Sequence, residues 1–566
     1  MNAVRVPRRR RIWRWLLISA GALIVIGAVG SWSINWLCYA RPPKVDEFPA
    51  IVNETVKTEN GRRRIGQCWM ERRDGLIAMY LAGDPFTRGY ANVKLTQDLL
   101  DEQETEFVQS IREHVPSTVK LWLLSKLVLL RNRNLADFVR MEDQLELYGE
   151  AEACIDKYPQ FGPLYNRFLN YHAAHDIAHA VMDSSLIGCT SFAAWDDATA
   201  DGHLLVARNF DFDAARCFDR NKTVSLVAPE HGRKYITVSW PGMIGVLSGI
   251  NDARIGVFIH AAASDDKRMV GTPVALVVRD MLQNAGSLQE AIDIVAGSVV
   301  SVADIYFITD GKTGQAVTVE KTPLRWAVRR VEGNHMICSN HFLTEQLKDD
   351  PGNIRYRAQG TSLDRHRRMD QLVSASLGEL DRTEAATILR DTFVPGVAAG
   401  GLGNNSAVNP LGATHAVIVD ATDGVIWVSR WPHQLGAFVP FSIESFEQGT
   451  AHGEIIPEDA LLTSGGYQRY LDAQGKLKQA EALARKKKWQ EARQAAEAAG
   501  KLNPGYYRTF MILCEIEIGQ GNWQAAQSFL RQAQALHVAY GDERAEIERL
   551  LATVAQKQGR TTTRRE

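Results

Sequence analysis

The sequence predicts an α+β protein in which β-hairpins alternate with helices. Three observations predict this class. Runs of apolar, β-branched and aromatic residues, separated by turns rich in Gly and Asp, recur between residues 186 and 429 and are typical of hairpins. Residues 91–180 and 273–297 carry apolar residues at helical spacing instead. Beyond Gly465 the composition changes to Ala, Gln, Lys and Arg, which indicates a further helical region.

The chain is long enough for two or three domains, and its charge excludes one class of partner. It has 566 residues and a formal net charge of −1, which gives no reason to propose nucleic acid as a ligand. Its seven cysteines have no metal-finger spacing and imply no disulfide framework, although one or two bridges remain open. They are Cys38, Cys68, Cys154, Cys189, Cys217, Cys338 and Cys514.

The N-terminus predicts a membrane anchor. Residues 1–14 contain six arginines and no acid, and residues 15–40 then contain no charge. About 20 apolar residues span a bilayer, and a basic flank stays in the cytoplasm. We therefore predict a single-pass helix of a cell inner membrane at 15–40, with everything after it on the outer, periplasmic side. A cleaved signal peptide ending near residue 40 is the alternative, but the apolar run exceeds a typical signal core.

A linker is predicted at 41–64, followed by the main domain at 65–455. Its first helical part carries His172, His175 and His179, whose spacing puts them on one helical face. A metal site would need this arrangement, but no further ligand is evident, so packing of the three rings is the simpler interpretation. Later in the domain, Pro273 and Ser287 are expected to begin a pair of helices.

The most informative stretch is the predicted hairpin formed by residues 186–195 and 203–211. Cys189 follows a glycine at the start of the first strand, and Arg208 and Asp211 close the second strand. The hairpin can therefore bring a thiol, a guanidinium and a carboxylate together. Arg208 and Asp211 alone could also form a structural salt bridge.

These motifs resemble a known family. Gly-Cys-Thr-Ser-Phe at 188–192 and Arg-Asn-Phe-Asp at 208–211 are similar to segments of the N-terminal-nucleophile (Ntn) amide hydrolases. The branch is that of the acyl-CoA:6-aminopenicillanic acid acyltransferase-like and choloylglycine hydrolase-like enzymes, which cleave linear amides. Ser-Asn-His-Phe at 339–342 and Ser-Leu-Asp-Arg at 362–365 resemble two further segments. The resemblance spans roughly residues 65–445.

The resemblance implies a fold: a four-layer αββα Ntn-hydrolase sandwich. We expect it to be preceded by the transmembrane helix and followed by an α-helical, tetratricopeptide-like segment. The resemblance also implies that the precursor cuts itself between Gly188 and Cys189. Cleavage would free an α-amine with a reference pKa of about 7.7–8, which can act as base for the thiol of the same residue.

The same resemblance assigns the other site residues. Cys189 would be the nucleophile, Arg208 would favour its thiolate and Asp211 would orient the α-ammonium group. Asn340 would donate to the oxyanion, and Arg365 would brace Asp211 or the substrate. In the family a second oxyanion asparagine usually follows the strand that ends near residue 260, but here the sequence is His260-Ala261-Ala262-Ala263. A backbone N–H or His260 would have to serve. Asn251 and His341 are interpreted as structural.

The C-terminal region predicts repeats. Trp489-Gln490-Glu491-Ala492 returns as Trp523-Gln524-Ala525-Ala526, and the later small residues fit a tetratricopeptide period of 34 residues. We assign 466–556 to this helical segment and 557–566 to a disordered basic tail. Two repeats rarely stand alone, so they are expected to pack on the main domain or on a protein partner.

Two functions follow. The first is a membrane-anchored, self-processing cysteine hydrolase of small N-acyl amides, or an acyltransferase using the same thioester on Cys189. It would need no cofactor and no metal, because no phosphate loop, zinc signature or serine elbow is present. The second is a non-catalytic scaffold that binds a protein through the repeats and retains a decayed hydrolase domain.

Overall fold

A computed structural model describes residues 30–31, 33–174, 176–177, 187–212, 215–394, 401–448 and 453–562. Its strands, numbered along the chain, form two sheets. Sheet A contains, in spatial order, β1 (Lys57–Glu59), β2 (Arg62–Ile65), β3 (Cys68–Arg73), β4 (Leu76–Gly83), β7 (Thr223–Pro229), β8 (Tyr235–Ser239), β9 (Ser248–Asn251), β10 (Ile255–Ala261), β11 (Asp304–Asp310), β12 (Gln315–Lys321) and β13 (Trp326–Arg329). Sheet B contains, in spatial order, β14 (His335–Cys338), β5 (Ile187–Ala194), β6 (Leu205–Phe212), β15 (Ala413–Asp420), β16 (Val425–Ser429) and β17 (Phe438–Phe441).

Neighbouring strands in both sheets are antiparallel, with one exception. β4 and β7 run parallel, with Ile77 opposite Thr223 and Gly83 opposite Pro229. A parallel pair needs a long crossover, and here the crossover contains several helices and the hairpin of sheet B. The strands β1 and β2 begin within the stretch that the sequence predicts as a linker. β1 is fully exposed and β2 carries three consecutive arginines, so neither has the alternation of apolar and polar residues that predicts a strand.

The helices of the main domain fall into two groups in the chain. Before and between the strands of sheet A lie α1 (Pro85–His114), α2 (Thr118–Arg131), α3 (Met141–Ala153), α4 (Leu164–His172), α5 (Arg216–Arg220), α6 (Val274–Asn284) and α7 (Leu288–Gly297). After β14 follow α8 (Pro351–Gln359), α9 (Ser362–Ala375), α10 (Arg382–Leu389), α11 (Ile443–Gln448) and α12 (Ala460–Thr463). Single 3₁₀ turns occur at Ala50–Asn53, Leu135–Phe138, Pro159–Phe161 and Asp196–Ala198.

Buried apolar clusters show that these elements form four layers. Between the two sheets, Ile236 and Phe307 of sheet A belong to one cluster with Val206 and Val417 of sheet B. On the outer face of sheet A, separate clusters join its strands to α1 and α4 and to α6 and α7. On the outer face of sheet B, a fourth cluster joins β5, β6 and β15 to α9 and α10. The order is therefore helices, sheet A, sheet B, helices.

Local sequence signals set several helix ends. Pro85 is the first residue of α1, and the Asp84 side chain accepts a hydrogen bond from Thr87 N at 3.0 Å. The Ser287 hydroxyl caps α7 in the same way, accepting from Glu290 N at 3.3 Å. Such caps satisfy backbone donors that have no partner within the helix. The predicted helix pair at 273–297 is confirmed.

Five further helices follow the main domain and pack in chain order: α13 (Gly466–Arg485), α14 (Trp489–Leu502), α15 (Tyr507–Gln520), α16 (Trp523–Gln534) and α17 (Gly541–Thr562). Ala492 and Ala526, the repeated small residues, are completely buried in their common core. The helical prediction for this region is confirmed. Its relation to tetratricopeptide repeats stays a prediction.

One part of the predicted fold class is wrong, namely the transmembrane helix at 15–40. Across the part of the chain that the structure describes, no helix has the length and apolarity needed to cross a bilayer. Residues 15–29 and Trp32 of the predicted span lie outside the described residues, and only its end, up to Ala40, is described. The prediction rested on the length of the uncharged, apolar run and on its arginine-rich flank, and these two signals do not by themselves define a membrane-spanning helix. All seven cysteines are free thiols.

Candidate active site

The predicted hairpin is present and buries Cys189. β5 pairs antiparallel with β6 in a register that sets Gly188 opposite Asp211, Cys189 opposite Phe210 and Ser191 opposite Arg208. Residues that face each other across an antiparallel pair point to the same side. Cys189 and Arg208 therefore share one face, and the Cys189 side chain is fully buried there.

The Arg208 guanidinium contacts the thiol and is held by the larger sheet. Its Nη2 lies 3.6 Å from Cys189 Sγ, and the same atom donates to the Ile259 carbonyl. Its Nη1 donates to the Leu247 carbonyl at 2.9 Å and to the Ser248 hydroxyl. Burial raises the pKa of the Cys189 thiol, and the positive charge of Arg208 opposes this. In this uncut chain, burial therefore favours the protonated thiol.

Asn340 and Arg365 hold the backbone of the strand that carries Cys189. Asn340 Oδ1 accepts from Cys189 N at 2.8 Å and from Arg365 Nη2 at 2.7 Å. Arg365 Nη1 donates to the Cys189 carbonyl at 2.6 Å and to Thr190 Oγ1 at 2.5 Å. Two donors converge on Asn340 Oδ1, so this orientation of the amide is fixed by its neighbours. Arg365 thus braces the strand of Cys189 and not Asp211.

The same arrangement bears on the predicted oxyanion donors. Asn340 Nδ2 donates to the Ala261 carbonyl at 2.9 Å, so it would have to leave this oxygen before it could bind an oxyanion. The Ala262 N–H donates to the Ala303 carbonyl at 3.0 Å. His260 Nε2 lies 2.9 Å from Ser191 Oγ, and burial lowers the pKa of this ring well below its usual value. The oxyanion roles of Asn340 and His260 stay predictions.

Asp211 is buried without a counter-charge in contact. Within the described residues, neither of its carboxylate oxygens has a hydrogen-bond partner, and no ion pair joins it to Arg208. A Cβ at Gly188 would lie 3.2 Å from Asp211 Oδ2, so glycine allows the carboxylate close to the Gly188–Cys189 bond. Burial raises the pKa of Asp211 to about 7, although Arg365 and Arg208 lower it. The group can therefore gain or lose a proton near neutral pH.

Two serines to which sequence analysis gave no role contact the residues around Cys189. The Ser362 hydroxyl accepts from Asn340 N and lies 2.8 Å from His341 Nδ1. The Ser248 hydroxyl, which contacts Arg208, lies 2.9 Å from His415 Nε2. Ser362 precedes Arg365 in a motif that was noted for its arginine, so a signal existed. Sequence analysis gave Ser248 and His415 no role, because the contact between them joins strands 167 residues apart in sequence.

The residues interpreted as structural behave in that way. Asn251 Nδ2 donates to the Leu282 and Ala285 carbonyls, and its Oδ1 accepts from two backbone N–H groups. His172 Nδ1 lies 2.7 Å from the Phe168 carbonyl, and its Nε2 accepts from Ile244 N at 2.9 Å. Both ring nitrogens of His172 are thus occupied. His175 and His179 lie outside the described residues.

A cavity of about 1520 Å³ opens beside Gly188, the residue before Cys189. Gly188, Asp211 and Arg365 line it, and so do Ala262 and Ala263, while Cys189 lies just beneath its wall. A small molecule in this cavity would therefore contact Gly188 directly.

Comparison with known proteins supports the predicted resemblance for the central part of the chain. Residues 198–397 match the model of a family described as "Acyl-coenzyme A:6-aminopenicillanic acid acyl-transferase". The matched range contains Arg208, Asp211, Asn340 and Arg365, and it begins after Cys189.

Three curated relatives share less than a third of their residues with the chain. An uncharacterized protein of Archaeoglobus fulgidus is 25% identical over 375 residues, which cover 58% of this chain and 60% of that protein. Protein dcd1B of Dictyostelium discoideum is 24% identical over 38% of this chain and 44% of its own length. A Caenorhabditis elegans N-acylethanolamine-hydrolyzing acid amidase is 23% identical over 29% and 47%. The chain thus spans less than two thirds of these relatives.

Solved structures were also compared. A conjugated bile acid hydrolase from Clostridium perfringens is 13% identical and matches 47% of this chain and 95% of its own, with a TM-score of 0.32. Penicillin V acylase from Agrobacterium tumefaciens is 12% identical over 45% and 86%, with a TM-score of 0.31. Similarity at this level says nothing about the substrate.

Proposed function

We propose that this protein is a self-processing amide hydrolase or acyltransferase that forms a thioester on Cys189. The observation that carries the proposal is the set of contacts around this residue. Arg208 contacts the thiol, Asn340 and Arg365 hold both backbone groups, and Asp211 lies uncompensated beside Gly188. A purely structural cysteine needs none of these, since buried thiols usually pack as small apolar groups.

The first step is the cut that activates the site. Cys189 Sγ attacks the carbonyl carbon of Gly188, and the Gly188–Cys189 amide bond breaks. The thiol proton ends on the departing nitrogen, which becomes the α-amine of Cys189. Water then hydrolyses the thioester, giving a Gly188 carboxylate and a free thiol. Asn340 Oδ1 already accepts from Cys189 N at 2.8 Å, so it can hold the new amine in the same position.

The second step is turnover of a substrate amide. The α-amine removes the thiol proton, and the thiolate attacks the acyl carbon to give a thioester. The same proton passes to the leaving nitrogen. Water or a second amine then releases the acyl group, so hydrolysis and acyl transfer share one intermediate. Asp211 pairs with the α-ammonium form, and Arg208 favours the thiolate because a nearby cation lowers the pKa of a thiol.

Protein mass measurement tests the cut. Active wild-type protein is expected to contain two pieces, one ending at Gly188 and one comprising residues 189–566. Cys189→Ala should give a single uncut chain without amidase activity. Cys189→Ser should cut slowly, because an oxygen can perform the shift, and should hydrolyse substrate poorly. Cys338→Ala removes another buried thiol and serves as the matched control, which should cut and turn over normally. Active wild-type protein that is one uncut chain would disprove the mechanism.

A further inference from the structure

The C-terminal helices close one side of the cavity beside Cys189. Residues of α13, α15 and α17 line it together with Gly188 and Arg365. They include Tyr470, Lys478 and Arg508, and Tyr540, directly before α17, also lines it. Pockets for small ligands usually measure about 300–1000 Å³, and this cavity exceeds that range. The helices therefore enclose space that a small acyl amide alone would not fill.

Several contacts fix these helices to the catalytic domain. The Tyr540 hydroxyl accepts from Asn405 Nδ2 at 2.7 Å. His537 Nε2 lies 3.0 Å from Oδ2 of Asp364, the residue before Arg365. A Cβ at Gly403 would lie only 2.6 Å from the Tyr470 ring, so backbone and ring are in close contact. These contacts thus connect the C-terminal helices to the segment that carries Arg365.

Most of the acidic side chains that line the cavity form ion pairs, whereas several of the basic ones do not. Most of its acids already hold a cation: Asp219 pairs with Lys222 at 2.7 Å, Asp266 with Arg325 at 2.8 Å, Glu543 with Arg508 at 2.9 Å, and Asp265 with Arg355. Among the described residues, five lining cations apart from Arg365 form no ion pair, namely Arg131, Arg216, Lys267, Arg268 and Lys478, whereas the unpaired acids apart from Asp211 are Glu481 and Asp542. A cavity with excess unpaired cations attracts anions.

We propose that the C-terminal helices form the distal part of the substrate site and that Lys478 binds a negatively charged group there. This inference rests on the proposed function and specifies its substrate class: an N-acyl amide with an anionic group remote from the scissile bond. Tyr470 and Tyr540 would pack against the connecting part of the substrate. The helices then act on specificity directly and need no protein partner to do so.

The chain offers a matched control for Lys478. Lys476 lies on the same helix and is also exposed, but it does not line the cavity. We would compare Lys478→Glu with Lys476→Glu using two probe series. One contains aminocoumarin amides of dicarboxylic acids of increasing length, and the other contains N-decanoyl ω-amino acids. Each probe has an uncharged partner in which the carboxylate is a primary amide. Binding of decanedioate, measured by calorimetry, provides a readout independent of turnover.

At low salt, Lys478→Glu is expected to lower the ratio of kcat/KM for the charged probe to that for the uncharged probe about tenfold in at least one series. It should weaken decanedioate binding by a similar factor. Both effects should largely disappear at 1 M salt, because salt screens the charge. Lys476→Glu should change neither. Equal effects of the two variants, or none, with amides still cleaved, would overturn the inference and leave the proposed function standing. If decanedioate binding depends on Lys478 but no amide is cleaved, the result would support the anion site in the C-terminal helices and refute the proposed function.

Discussion

Two of the buried groups of charged side chains in this molecule are compensated in opposite ways. In the first, Glu146 on α3 accepts from Arg88 of α1 and from Arg279 of α6, each at 2.6 Å. In the second, beside Cys189, the guanidinium groups of Arg208 and Arg365 donate to carbonyl, hydroxyl and amide oxygens and to the thiol.

The difference separates a structural centre from a reactive one. At Glu146 each charge meets its opposite, so the pKa of this carboxyl stays below its usual value despite burial, owing to Arg279 and Arg88. At Cys189 no carboxylate of the described residues pairs with the cations, and burial raises the pKa values of both Cys189 and Asp211. Strongly shifted groups beside a cavity are typical of active sites. Full burial alone therefore does not identify the function of a charged residue; its partners do.

The same chemical change at both centres gives the largest contrast. Glu146→Gln leaves two buried cations under-compensated and should lower the free energy of unfolding by about 3–5 kcal/mol. Asp211→Asn should cost little stability, because the carboxylate has no partner to lose. It should instead slow turnover by at least about tenfold, the rate equivalent of about 1.36 kcal/mol, because the neutral amide cannot pair with the α-ammonium form of Cys189.

Urea unfolding and kcat/KM, measured on both variants, test this contrast. The comparison fails if Asp211→Asn lowers the free energy of unfolding as much as Glu146→Gln does. It also fails if Glu146→Gln keeps the stability of the wild type but loses activity.

The pH dependence of stability provides a second contrast, best measured on the uncut Cys189→Ala background. A free Asp has a pKa of about 3.9, whereas burial raises that of folded Asp211 to about 7. The stability that the protonated group contributes is therefore complete below pH 4 and is lost as the pH rises through 7. Relative to this background, adding Asp211→Asn should become more stabilising from pH 4 to pH 8, by at least about 1.4 kcal/mol, the value of one pKa unit. A pH-independent difference between the two urea midpoints would contradict the uncompensated state of Asp211.

The smallest effect is expected where the C-terminal helices meet the site. His537→Ala removes the contact to Asp364, and a partly exposed pair of this kind contributes about 0.2–1 kcal/mol. Because Asp364 precedes Arg365, kcat should fall less than tenfold, and His537→Gln should restore it. Asp98→Ala breaks a comparable exposed pair with Arg63, remote from the cavity, and should leave kcat unchanged. Identical kinetics of the His537 and Asp98 variants would show that the helices do not position Arg365.

Local chemistry made part of this arrangement predictable. The hairpin of Cys189 was expected at 186–195 and 203–211, close to the observed Ile187–Ala194 and Leu205–Phe212. Glycine, proline and capping residues set such boundaries within a few residues, so sequence patterns report them. The meeting of Cys189 and Arg208 follows from this hairpin alone.

Contacts between distant segments were not predictable in the same way. Arg365 reaches the Cys189 carbonyl from a helix 176 residues further along the chain. The family resemblance suggested its presence in the site but had it brace Asp211 or the substrate. Nothing in the C-terminal sequence indicates that Lys478 and Tyr540 line the cavity. A helical pattern shows which face of a helix is apolar, but not which other part of the chain lies next to that helix. The error at 15–40 arose likewise from apolar composition considered without its surroundings.

The parallel contact of β4 with β7 has a consequence for the fate of the two pieces. β4 precedes Gly188 and β7 follows Cys189, and seven residue pairs join them in the middle of sheet A. A cut at 188/189 would therefore convert one polypeptide into an interlocked heterodimer, with a single sheet shared by both chains. Neither piece could leave without exposing a long strand edge, so the pieces should co-elute in native buffer and separate only in denaturant. Scission would release a chain end while the body of the enzyme stays whole.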